Sequence, residues 1–187
     1  MKNAILGLTF LIYPVLVYFG LQYVKPSYLA AFFALIFAYR YFSQDKRKGK
    51  IPHLNILFIS VTSLLAFSML ANSAIALKFY PVVVNVSFLV IFAYSLWKPP
   101  SVVEVIASLQ EELDQQGIIY TRNVTKVWCV FFSVNAMIAT WTIFQEDQSY
   151  WLIYNGLVSY VLMGLLMLIE FGVRKYVKHN KSKVASS

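Results

Sequence analysis

Five side chains able to do polar work stand within, or at the ends of, long apolar runs: Lys78, Asn85, Asn135, Asn155 and Glu170. A lone amide or charge in hydrocarbon is costly, so each needs a partner or a task. Asn85 and Asn135 fall at similar depths in two runs that cross in opposite directions, which lets them meet. Such a pair could be a polar site for a head group or an ion at mid-depth, or an interhelical hydrogen bond that sets register. Lys78 can snorkel to water, reach Glu146 or Asp147, or bind an anionic group. Glu170 has Arg174 four residues on, the spacing of a helical ion pair, and Lys126 as an alternative partner across the bundle. Asn85 and Asn135 are expected to face each other or to share one polar pocket, closed toward the outside by Lys78, Trp151, Tyr154 and Asn155.

No pattern for covalent or metal chemistry accompanies them. Cys129 sits beside Trp128 in an apolar run with no histidine near it in sequence, while His53 and His179 lie at or beyond run ends. The sequence holds no Gly-rich phosphate loop, paired catalytic carboxylates, Ser-His-Asp arrangement or selectivity-filter signature. The expectation is a protein that is not an enzyme, with no catalytic residue, cofactor or metal.

Helices must position these residues. Of 187 residues, 59% are hydrophobic and only 13% charged, which excludes an ordinary soluble domain. About 20 apolar residues cross roughly 30 Å of hydrocarbon. Six runs approach that length: 4–24, 27–42, 53–71, 74–97, 124–144 and 150–173. The expected fold is all-α, a single integral membrane domain over residues 1–187 built as a polytopic bundle of six transmembrane helices. Pro14 should kink the first of them. Ala30, Ala34 and Ala38 form a small-residue stripe for close helix packing, and Gly156 and Gly164 suit the same purpose.

The net charge of +8 could suggest nucleic acid, but the basic residues cluster at run ends and form no reader motif, so no nucleic-acid partner is expected. Topology explains them better. With both termini inside, fourteen Lys and Arg lie on the inner side, including Lys46, Arg47, Lys48, Lys50 and the tail at 176–187, against Lys25 and Lys78 outside. That tail is expected to be disordered.

Between the fourth and fifth runs lies a polar stretch with a readable helix start. Ser101 follows Pro99-Pro100 and precedes Glu104 by three residues, the capping-box spacing. Val102, Val105, Ile106, Leu109 and Leu113 then recur at helical intervals, and Gly117 is placed as a stop. These signals predict an amphipathic cytoplasmic helix over 102–116, lying on the inner membrane surface. Its polar face carries Glu111, Glu112 and Asp114, which favours packing against the bundle or a partner over free lipid binding. Ser101, Glu104, Arg122 and Lys126 are the candidate inner-face docking residues.

The segments Tyr80-Pro81-Val82-Val83-Val84-Asn85, Lys98-Pro99-Pro100-Ser101, Tyr120-Thr121-Arg122 with Val127-Trp128-Cys129, and Trp151-Leu152-Ile153-Tyr154-Asn155-Gly156 carry a resemblance over roughly residues 74–173. The chain resembles an uncharacterised family of small inner-membrane proteins of Gram-negative bacteria, encoded near acyl-carrier-protein, ketosynthase and acyltransferase genes of the aryl-polyene or fatty-acid-like type. More remotely, Trp128 to Asn135 followed by Trp151 is similar to the last hairpin of the intracellular septation protein A family. The resemblance implies a setting, the bacterial inner membrane near acyl-lipid or envelope synthesis, and supplies no catalytic residue. Two functions stay open. One is a non-enzymatic scaffold or accessory subunit whose partners are membrane lipids, cytoplasmic acyl-chain enzymes or other membrane subunits. The other is a small carrier or flippase for a lipid-like product.

Overall fold

A computed structural model describes residues 2–42, 55–110 and 112–185, with side chains described at 12–39, 55–110, 112–175 and 177. All regular secondary structure among the described residues is helical. Helix α1 spans Lys2–Tyr23 and runs through Pro14, α2 spans Pro26–Phe42 and α3 Asn55–Ala71. The cluster from Lys46 to Lys50 lies outside the described residues.

The run at 74–97 is not one helix. It divides into α4, Ala74–Lys78, and α5, Tyr80–Trp97, with Phe79 as the joint. Pro81 explains the division: it has no N–H to give to the carbonyl of Leu77, four residues back. Before α4 the chain reverses through Asn72, whose φ of 46° lies in the left-handed region that asparagine tolerates. The Asn72 side chain accepts the backbone N–H of Ser27 at 3.1 Å, so the start of α2 lies beside the end of α3.

The expected helix over 102–116 is shorter than its periodicity suggests. Helix α6 covers only Val102–Ser108, and α7 begins at Gln115 and continues to Ile143. Asp114 supplies the reason. Its carboxylate accepts the N–H of Gly117 at 3.0 Å and starts a new helix, so Gly117 belongs to the first turn of α7 and ends nothing. Val102 is fully buried, but Ile106 and Leu109 are exposed, so the predicted apolar stripe is only partly covered.

The last run, expected as one span over 150–173, comprises α8, Ser149–Ile153, a π-helical turn at Tyr154–Val158, and α9, Ser159–Ala185. Helix α9 carries the chain well past 176, so the tail expected to be disordered is helical as far as Ala185. Its basic residues follow directly on an apolar helix and continue its hydrogen-bond ladder.

Among the described residues, three stretches are long and apolar enough to cross a membrane: Tyr80–Trp97, Gln115–Ile143 and Ser149–Lys175. Pro26–Tyr39 and Asn55–Ala71 are apolar but shorter. Among the described residues, two apolar clusters hold the helices together. One joins Tyr13, Phe33, Val61, Leu65, Leu77, Tyr80 and Trp151, with the Tyr13 and Tyr80 rings stacked at 3.9 Å. The other joins Ile91, Phe92, Val102 and Phe132, with Phe88 stacked on Phe132 at 5.4 Å. Ala30 and Ala34 pack against the first cluster, whereas Ala38 is exposed and Gly164 has open space around it.

Candidate functional site

Between the two apolar clusters, along α5 and α7, lies a polar layer. Asn135 of α7 donates from Nδ2 to Oδ1 of Asn85 on α5, at 2.9 Å. Asn85 donates in turn to the carbonyl of Pro81 at 2.8 Å, and the hydroxyl of Tyr154 donates to Oδ1 of Asn135 at 2.7 Å. The result is a one-way chain of hydrogen bonds from the π-helical turn through α7 into α5. Both asparagines are buried. Asn155 is a separate tie, donating to Thr142 Oγ1 at 3.2 Å and to the carbonyl of Trp151 at 3.0 Å. The π-helical turn lets two neighbouring residues, Tyr154 and Asn155, reach α7 at points two turns apart.

The break at Phe79 adds two partners that sequence reasoning missed. The Leu77 carbonyl, left without its helical donor by Pro81, accepts the hydroxyl of buried Tyr13 at 3.1 Å. The adjacent Lys78 carbonyl accepts the indole N–H of fully buried Trp151 at 3.0 Å. A readable signal existed: a proline frees the carbonyl four residues before it, and buried Tyr and Trp seek partners for their polar tips. Lys78 itself extends to the side-chain oxygen of Gln148 rather than to Glu146 or Asp147. Of Lys78, Trp151, Tyr154 and Asn155, Tyr154 bonds to the asparagine pair directly, while the other three bond to Gln148, to the Lys78 carbonyl, and to Thr142 and Trp151.

At the opposite end, Ser101 and Glu104 form the complete capping box. The Glu104 carboxylate accepts the Ser101 N–H at 3.1 Å, and Ser101 Oγ accepts the Glu104 N–H at 3.4 Å. Ser95 of α5 accepts the N–H of Val102 at 3.1 Å, which fastens α6 under α5. Arg122 donates to the carbonyl of Leu96 at 2.8 Å, a cation placed at the negative end of α5. Lys126 binds Asn123 on its own helix at 3.2 Å, not Glu170. Glu170 pairs with Arg174 at 3.7 Å and accepts a long hydrogen bond from the Tyr120 hydroxyl at 3.4 Å.

The buried part of this arrangement contains amides, hydroxyls and an indole, with no ionised group or nucleophile in it. Its donors and acceptors are committed to one another: among the described residues, no buried side-chain nitrogen or oxygen lacks a partner. No group of three or more His, Cys, Asp or Glu among those residues could hold a metal ion. What the layer can do is fix the rotation and register of α5, α7 and the last helix.

Fold and site together define a class, an all-helical protein with helices long enough to span a membrane and a hydrogen-bonded polar layer between two apolar cores. Compared with protein-family models, curated proteins and solved structures, the chain matches none.

Proposed function

We propose that this is a six-span protein of the bacterial inner membrane, with both termini and α6 on the cytoplasmic side. In this reading it is a non-enzymatic scaffold or accessory subunit for acyl-lipid, polyene or envelope biosynthesis. The observation that carries the choice is the closed chain from Tyr154 through Asn135 and Asn85 to Pro81. A carrier needs polar groups free to exchange partners with a passing solute. Here every link is already taken, two between neighbouring elements and one within α5, which suits a rigid body that holds other proteins in place. The cytoplasmic face then offers exposed apolar side chains, Ile106 and Leu109, beside a firmly capped helix start.

Photo-crosslinkers at positions 106 and 109 in native membranes test the reading. Adducts with an acyl-carrier protein, a ketosynthase or an acyltransferase are expected. Adducts with lipid alone would overturn the scaffold assignment.

A further inference from the structure

A cavity of about 250 Å³ opens between α6, the first turns of α7 and the end of α9. Its walls are apolar, formed by Val103 and Ala107 of α6 with Leu113 and Val177. Its lining also carries charges of both signs, Glu112, Asp114 and Glu170 with Arg174. We propose that this cavity binds the head of a zwitterionic phospholipid, its ammonium toward Glu112 and Asp114 and its phosphate toward Arg174.

Position comes first. Glu170 and Arg174 lie in the last turns of the apolar stretch Ser149–Lys175, and Tyr120 lies in the first turns of Gln115–Ile143. Residues at the ends of spans sit at the depth of lipid head groups. Charge comes second. Three carboxylates against one guanidinium repel a purely anionic head, while Arg174 offers a phosphate what a bare cation would not use. Arg174 meets Glu170 through Nε at 3.7 Å with its side chain 31% exposed, and a guanidinium has further N–H groups to offer a phosphate. Glu112 is exposed and has no hydrogen-bond or ion-pair partner among the described residues. Size and surroundings come third. Ligand pockets commonly hold roughly 300–1,000 Å³, so this cavity suits a head group rather than a whole lipid. Ile119, Ile169 and Val173 are exposed nearby along the two long helices and give the acyl chains an apolar track.

The inference rests on reading these helices as spans, and insertion of the full-length chain into nanodiscs tests that reading separately. Retention of phosphatidylethanolamine and phosphatidylglycerol by the inserted protein is then measured by native mass spectrometry. Phosphatidylethanolamine should be retained preferentially. The double variant Glu112→Gln with Asp114→Asn should lose at least about fivefold of that retention, since it removes both carboxylates that would meet the ammonium. Asparagine still caps α7, so folding is preserved. Val177→Trp, at an exposed wall position, should lower retention by filling the space. Equal or better retention of phosphatidylglycerol, or unchanged retention in both variants, would overturn the assignment. So would displacement by an equimolar amount of soluble phosphoethanolamine, because the apolar walls would then contribute nothing.

Discussion

Residues able to pair across the bundle could be found from the sequence when both partners were visible as side chains. Asn85 and Asn135 were legible because two antiparallel runs place them at one depth, and Glu170 with Arg174 because four residues separate them. For Tyr13 the sequence marks only the acceptor, since Pro81 frees the Leu77 carbonyl, and not which ring 64 residues away reaches it. These cases lead to separable expectations. Leucine at both positions 85 and 135 should be clearly non-additive in thermal stability, with a coupling near 0.6 kcal/mol, the average for interhelical hydrogen bonds in a membrane. Additive losses would mean that the two amides act independently. Tyr13→Phe keeps the ring stacked on Tyr80 but leaves the Leu77 carbonyl unpaired, at a cost of about 1–3 kcal/mol in unfolding measurements. A third expectation concerns pH. The Asp147 carboxylate accepts the Ser149 N–H at 2.8 Å, and hydrogen bonds from Ser149 hold its pKa below the ordinary aspartate value. A depressed folded pKa gives stability that is present above the unfolded pKa and is lost as pH falls through the folded one. Amide exchange at 147–150 should therefore quicken in acid, and Asp147→Asn should abolish that dependence.

Helices were more legible than their boundaries. Apolar length located α1, α2, α3, α7 and the last run, yet α6 stopped seven residues after its start and α7 began nine residues before the expected span. Two capping signals compete within one stretch there. Ser101 with Glu104 starts a helix, and Asp114 starts another before the first can reach Gly117. Periodicity alone joins them, since Val102, Val105, Ile106, Leu109 and Leu113 keep their spacing through the break. The π-helical turn at Tyr154–Val158 has no such sequence mark; it shows only in the way Tyr154 and Asn155 both reach α7. If the caps decide these boundaries, Ser101→Ala should destabilise the start of α6 by about 1 kcal/mol and leave α7 unchanged. Asp114→Ala should instead fray α7 at Gln115 to Gly117. Site-by-site cysteine labelling across 101–118 reads both results. Protection that stays helical and unbroken from 102 to 116 would restore the single longer helix and dismiss the competing cap.

For the whole molecule, contacts at the helix ends and the distribution of charge argue for the same arrangement. Ser27 meets Asn72 and Lys78 meets Gln148, which sets the start of α2, the end of α3, the short helix α4 and the segment before α8 near one level. Leu96 meets Arg122, and Tyr120 meets Glu170, which sets the end of α5, the start of α7 and the later part of α9 at the other. The stretches α2, α3, α4–α5, α7 and α8–α9 therefore alternate in direction, as an up-and-down bundle requires. The first level carries Lys25 and Lys78 with Glu146 and Asp147; the second carries Lys98, Arg122, Lys126, Arg174 and Lys175. In the proposed topology the second level is the cytoplasmic one, since cytoplasmic connections hold the excess of Lys and Arg. A reporter active only in the periplasm should work when fused after Ala71, and one active only in the cytoplasm should work after Ser187. Moving positive charge tests the cause as well as the result: Lys or Arg added around Gln145 to Gln148 should lower expression or divide the population between two orientations. A periplasmic signal at Ser187 would place the end of α9 outside and remove the six-span reading, while leaving the hydrogen bonds between α5 and α7 as they are.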